Sequence, residues 1–267
     1  MNLARVMTAV AAWALSLAGS AMGQPATVSA CAHPAAQPMS WEHQGRMHGV
    51  CVEVAQRAFA SAGLALQVQA VGPWSRCQAL VERGQVDVMV CAFDTPARRA
   101  YAQPLEPPLA SNESALFVRR DSGVRFESWA DLQGLRIGVG HGVSLGTEID
   151  RQLAAYAQVD NALSEELNLR KLLLGRLDAV ATAREAGEAL LRSIGCDQAV
   201  RALPRSLGAA PLHLQVSRHS PALGSLPALR TYLQRAGYAA EVSQLHRQQA
   251  ELYRRQNPPR GAEPCGR

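Results

Sequence analysis

Apolar positions along this chain switch between two periods. Between residues 50 and 62 (VCVEVAQRAFASA) they recur at helical spacing and stop at Gly63, whereas residues 65–71 (ALQVQAV) alternate and residues 86–92 (VDVMVCA) are almost continuously apolar. The same reading predicts a strand over 26–30, a Gly45-turned hairpin before the first helix, and a helix over 75–83 that Gly84 ends. A second series follows: strand 136–140, helices 147–156 and 164–174, strand 179–182 and helix 186–192. A strand over 212–217 and helices over 226–236 and 239–254 complete it. Strands alternating with helices require crossover connections and so predict an α/β chain built on parallel sheets. Two Pro-bearing stretches without periodicity, 103–111 and 204–211, are where the chain is expected to pass from one unit to another and back. No internal repeat or low-complexity linker interrupts the pattern, and the Pro- and Gly-rich tail 257–267 is expected to be loose.

The first residues read differently. Arg5 precedes an apolar run, residues 6–18, and small residues follow up to Gly23, the layout of a secretory leader spanning 1–23. The run is too short for a good membrane span. An exported, periplasmic protein is therefore expected. Roughly 240 residues would remain, enough for two lobes with separate cores. The formal charge of +5 falls to +4 when Arg5 leaves, and basic pairs such as Arg119, Arg120 and Arg254, Arg255 are scattered. With only 5% aromatic residues to supply stacking platforms, this argues against a nucleic-acid binder.

All six cysteines (Cys31, Cys51, Cys77, Cys91, Cys196, Cys265) follow the leader, and an even set in an exported protein predicts disulfides. The count leaves their pairing open. Cys77 with Cys91 is preferred, because one lies near a helix start and the other near the end of the next strand, at one sheet edge. No Cys or His spacing fits zinc, so neither metal nor cofactor is expected. Val28-Ser-Ala-Cys31 loosely fits a lipidation box, but polar Gln24 and Pro25 separate it from the apolar run, and lipidation would leave an odd cysteine.

Three stretches carry a family likeness. The segment 45–99 runs from the hairpin through Pro73-Trp74 to Thr95-x-x-Arg98; Asp131-Leu-Gln-Gly134-Leu-Arg-Ile-Gly-Val-Gly140 leads into Gly142-Val-Ser144; and Gly175-Arg-Leu-Asp178-Ala-Val follows. In this order they resemble the bacterial extracellular solute-binding proteins of family 3, best known for polar amino acids, over nearly the whole mature chain. The resemblance implies a two-lobe periplasmic-binding-protein fold of type II. Each lobe would be a mainly parallel sheet flanked by helices, with residues 24–112 and 206–267 in one lobe, 113–205 in the other and a hinge between. It further implies capture of a small anionic or zwitterionic solute in the interlobe cleft by a monomer. An ABC-type importer permease, or alternatively a signalling system, would then read the closed form.

Ligands in such sheets bind beyond strand C-termini, where Thr95 and Arg98 fall. In the family an arginine at this place clamps a ligand carboxylate, and a guanidinium offers a rigid, permanently charged fork for both oxygens. Arg99 beside it could take the role. Gly142 and Ser144, at a strand end before a helix, would make the second grip through free backbone N–H groups and a hydroxyl. Trp74 is expected against the ligand or in the core, and Trp41 with Met39 stands where the family has an aromatic wall. The acid that the family uses for an α-amine is replaced by Ala183, so Glu185 or another acid would have to serve, or the ligand lacks an amine.

Two enzyme readings compete. Gly142-Val-Ser144-Leu-Gly146 matches a hydrolase nucleophile elbow, with Asp178 and then His213, His219 or His246 in a Ser, Asp, His order. A dehydratase on the binding-protein scaffold would instead need a cleft carboxylate, for which Glu185 is the candidate. The preceding lobe pattern favours a binding protein without catalysis.

Overall fold

A computed structural model describes residues 26–260. The first part of the chain forms β1 (Thr27–Ala32), β2 (Ala35–Ala36), β3 (Ser40–His43), β4 (Arg46–His48), α1 (Val50–Ser61) and β5 (Ala65–Gln69). It continues through α2 (Trp74–Glu82), β6 (Val88–Phe93), the single turn α3 (Pro96–Arg99) and β7 (Ala102–Pro104). Next come β8 (Ala110–Arg119), β9 (Arg136–Gly140), α4 (Thr147–Tyr156), β10 (Gln158–Ala162), α5 (Glu165–Leu173), β11 (Ala179–Ala183), α6 (Arg184–Ser193) and β12 (Val200–Ala202). The chain closes with β13 (Gly208–Ser217), α7 (Leu226–Gln234) and α8 (Tyr238–Gln256).

Two parallel cores result. β1 lies between β5 and β6 in one, and β9 between β10 and β11 in the other. Long strands β8 and β13 join them: their first halves pair antiparallel with each other, Gly208 opposite Ser114 and Leu212 opposite Ala110. The second half of β8 then pairs with β11, and that of β13 with β6. Hydrophobic side chains segregate accordingly. α1 and α7 cover one face of the first sheet through Val54, Phe59, Leu229 and Leu233, while α2 covers the other through Trp74, Cys77 and Val81. α4 packs Ile149 and Leu153 on one face of the second sheet, and α5 and α6 pack Leu169, Leu172 and Leu191 on its opposite face.

Five strands escape the sequence pattern, among them the two- and three-residue pieces β2 and β7. β10 is an edge strand, largely exposed and polar (QVDNA), so it carries no apolar alternation. β8 begins with the alternately exposed residues Ala110, Ser111, Asn112 and Glu113 and only then enters the core, which disguised its start as loop. β12 is three residues long and pairs only with β8.

The disulfides correct the sequence preference for Cys77 with Cys91. Cys31 is bonded to Cys77, and Cys51 to Cys91, each pair with Cα atoms 5.8 Å apart. Regular alternation along β6 would send Cys91 to the α2 face together with Met89, beside Cys77. Instead Cys91 adopts a left-handed conformation (φ 61°), and the pairing with β13 slips there, from His213 opposite Ala92 to Gln215 opposite Met89. This is a β-bulge: one extra residue reverses which face the next side chain meets. Val90 and Cys91 consequently both face α1, where Cys51 waits, and Cys77 is left to Cys31. Cys196 is disulfide-bonded as well, and Cys265 lies outside the described residues. Peptide mapping of the unreduced protein should recover Cys31–Cys77 and Cys51–Cys91 linked peptides; a Cys77–Cys91 peptide as the main species would contradict the bulge.

Candidate functional site

A cleft of about 580 Å³, counting its open mouth, lies at the C-terminal ends of β1, β6 and β11. Arg98 forms one wall. Thr95 caps α3 by accepting the Arg98 N–H at 3.3 Å, and Pro96 at the first helical position suits that start. This cap turns the Arg98 side chain inward, where it is only 4% exposed, and turns Arg99 outward. Arg99 donates to Asp94 at 2.8 Å and is solvated, so the ambiguity between the two arginines resolves in favour of Arg98 as the cleft residue.

The Arg98 guanidinium is oriented by its own chain. Nη1 donates to the Phe93 carbonyl at 2.8 Å, Nε to Gln78 Oε1 at 3.2 Å, and Nη2 reaches the Gly142 carbonyl at 3.5 Å. The charge stands 5.4 Å from the centre of the Trp74 ring, a cation–π distance. Burial pulls the guanidinium below its ordinary pKa, while Tyr101, Asp150 and Asp94 act the other way. An arginine remains charged under such burial, which leaves a dry cation on the wall.

Gly142 faces Arg98 across the gap. Its φ of +70° is left-handed, which glycine adopts without strain, and its carbonyl accepts Gln78 Nε2 at 3.0 Å as well as the Arg98 contact. The residue therefore joins the two walls through an oxygen and does not itself line the cleft. Ser144 does line it. Its hydroxyl is taken up locally: it donates to Asp150 Oδ2 and accepts the Gly146 N–H at 3.0 Å, while Asp150 Oδ1 accepts the Leu145 N–H at 2.8 Å. The chain's own carboxylate thus sits at the start of α4, where a ligand anion was expected.

The hydrolase constellation is not assembled. Among the described residues no histidine is hydrogen-bonded to Ser144: His213 faces the Leu105 carbonyl at 3.2 Å, His246 faces Glu185 at 2.7 Å, and His219 packs beside Gly84. Asp178 is occupied by the Arg136 N–H at 2.8 Å.

Trp74 lines the cleft and also packs in the cluster with Cys77 and Val81, and Met39 lines the cleft too. Trp41 does not. The β3–β4 hairpin turns it onto α8, where it is 1% exposed, stacks on His48, meets Tyr253 edge-on and donates to Gln256 Oε1 at 3.0 Å. Ala183 lines the cleft and brings no charge to it. Glu185, the acid proposed to replace it, points to α8 and its His246 partner instead, because α6 begins at Arg184 and carries position 185 round to its other side.

The acid that the cleft does contain is Glu165, at the first residue of α5. Its Oε2 is shielded from solvent and has no hydrogen-bond partner among the described residues. Desolvation pushes its pKa up to about 7, partly offset by the nearby side chains of Asn168 and Thr182. Gly140 makes room for it: a Cβ there would lie 2.8 Å from Glu165 Oε1. In the sequence, an acid just after the capping Ser164 looks like an ordinary partner of the helix dipole, which hid the residue. His33, Asn112 and Thr182 also line the cleft and were missed. His33 accepts the Ala35 N–H through Nδ1 at 3.0 Å, and burial and Arg98 together lower its pKa to about 4, so it is neutral at ordinary pH.

Two mainly parallel lobes with a cleft at their strand ends define the class of two-lobe periplasmic binding proteins. The chain belongs to the bacterial extracellular solute-binding proteins, family 3, whose model matches residues 28–257. No curated protein matches the sequence. Among solved structures, an ancestral arginine-binding protein bound to arginine shares 16% identity at a TM-score of 0.70, over 85% of this chain and 99% of that one. An ancestral amino-acid-binding protein, a precursor of cyclohexadienyl dehydratase, shares 15% at 0.66 over 83% and 94%. The periplasmic VFT2 domain of Bordetella pertussis BvgS shares 18% at 0.66 over 83% and 94%. At such identities the likeness concerns the fold. Among the described residues no helix is long and apolar enough to cross a membrane, and no cluster of His, Cys, Asp and Glu could hold a metal ion.

The raised pKa of Glu165 sets a direction for stability. Between the ordinary carboxylate value and about 7 the folded state holds a proton that the unfolded chain releases, so this group contributes least to stability above pH 7 and most in acid. Glu165→Gln removes the ionisable group. Its free energy of unfolding should exceed that of the wild type at pH 8 by an amount on the order of 2 to 3 kcal/mol, raising the thermal midpoint, and the difference should vanish near pH 4. Equal gains at both pH values would contradict the burial of this carboxylate.

Proposed function

We propose that this chain is an exported substrate-binding protein that closes on a small carboxylate-bearing solute, an amino acid or a related organic acid, and hands it to an ABC-type importer. The observation that carries the reading is Arg98: a desolvated guanidinium on the cleft wall, held in one orientation by Phe93, Gln78 and Trp74. A fork so fixed offers a carboxylate paired, charge-assisted hydrogen bonds with little ordering left to do. In this reading the leader 1–23 is removed on export to the periplasm, residues 24–112 with 206–267 form one lobe and 113–205 the other, and the protein works as a monomer. The solved likenesses named for amino-acid and arginine binding support the solute class.

Glu165 favours one second reading. A buried carboxyl that titrates near neutrality suits proton transfer, and a binding protein named as a precursor of a dehydratase shares the fold. That reading requires turnover, and binding alone does not.

Thermal-shift screening of the mature protein against carboxylate metabolites identifies a solute, since a ligand held only by the folded state raises its midpoint. Calorimetry then tests the wall. Arg98→Ala should weaken binding at least about thirtyfold, because a buried ion pair broken on one side costs roughly 2 to 5 kcal/mol. Arg98→Lys should recover only part, and Arg99→Ala, whose side chain is paired with Asp94 outside the cleft, should bind as the wild type does. Wild-type affinity in Arg98→Ala would refute the carboxylate assignment.

A further inference from the structure

The two walls of the cleft carry a guanidinium and a carboxyl group. Arg98 comes from α3 and Glu165 from the start of α5, with Trp74, Met39, Leu145 and Leu212 supplying apolar surface to the same space. A carboxylate oxygen shielded from water with no hydrogen-bond partner is costly, and a cation brought by a ligand would relieve that cost. The strand end that offers only Ala183 cannot supply such a contact, and Glu185 is engaged with His246 outside the cleft.

We propose that Glu165 is the seat of a ligand ammonium group, so that the cleft selects zwitterions by their amine and captures them in a pH-dependent way. The inference rests on the carboxylate reading of Arg98 and extends it to the opposite pole of the ligand. Only the ionised carboxylate pairs with an ammonium, so affinity rises as pH climbs through the titration of Glu165 near 7 and falls in acid. The charged and titratable groups lining the cleft and its adjoining recess with Glu165 are His33 from the β1–β2 turn, His141 from the β9–α4 turn and Arg98 from α3. His33, with its pKa near 4, stays neutral through this window, and Arg98 stays charged. His141 is retained in the variant that tests the idea.

The test uses matched probes: each L-amino acid beside the carboxylate that lacks only its α-amine, titrated into the mature protein at pH 8 and pH 6. The wild type should prefer the best amino acid over its des-amino partner by at least about thirtyfold at pH 8, and its affinity should fall about tenfold at pH 6. Glu165→Gln keeps the size of the side chain, and its thermal midpoint reports that it is folded. It should lose both the amine preference and the pH dependence, while it still binds the des-amino acid. If Glu165→Gln keeps either property, or if the wild type binds both probes equally through Arg98, the amine seat is refuted and the carboxylate reading survives. If no probe in either series binds, both assignments fall together.

Discussion

One left-handed residue orients the end of β6, and much of the cleft follows from it. At Cys91 the strand takes an extra residue against β13, and successive side chains Val90 and Cys91 face the same helix. The disulfide to Cys51 then ties this deviation to the first turns of α1. Beyond the bulge, the Phe93 carbonyl collects both Arg98 Nη1 and Gln215 Nε2, at 2.8 and 3.0 Å. A strand that kept its alternation would present a different side chain and a different carbonyl at the cleft. Bulges beside functional sites re-aim side chains in this way.

The electrostatics of the cleft are those of a receptor rather than of a self-satisfied core. A guanidinium and a carboxyl group both stand partly stripped of water, and among the described residues neither forms an ion pair. The guanidinium is steadied by neutral carbonyl and amide oxygens and by a ring face, which orient it without neutralising it. The carboxylate has room beside Gly140 and one oxygen without a partner. Such groups cost the folded protein stability, a cost that recurs where binding requires polar groups held without partners of their own.

The two walls meet through a handful of polar contacts. Gln37 Nε2 donates to the Ala186 carbonyl at 2.9 Å, Gln78 to Gly142 at 3.0 Å, Thr147 Oγ1 to the Asp94 carbonyl at 3.3 Å, and His246 faces Glu185 at 2.7 Å. Each lobe meanwhile keeps hydrophobic clusters of its own. Val143, from the β9–α4 turn, adds apolar packing against the Trp74 cluster, and the paired strands β8 and β13 carry the chain between the two cores.

Periodicity by itself determined the alternating α/β order, and strand 136–140 and helix 147–156 have the bounds that the sequence predicts. These elements bury a continuous face, and burial leaves its period in the residues. Arg98 could also be picked out, because a Thr cap and a Pro start a helix turn just past a buried strand. Only the tertiary structure decided between Arg98 and Arg99, paired Cys31 with Cys77, moved Trp41 from the cleft to α8, and brought Glu165 into it in place of Glu185. Edge strand β10 belongs with these, since a polar, exposed strand leaves no apolar trace. The reason is common to all of them. Local pattern records which residues are buried, whereas the face on which a side chain emerges, and the partner it meets there, depend on a bulge, a helix start or a turn whose conformation is set by contacts distant in sequence.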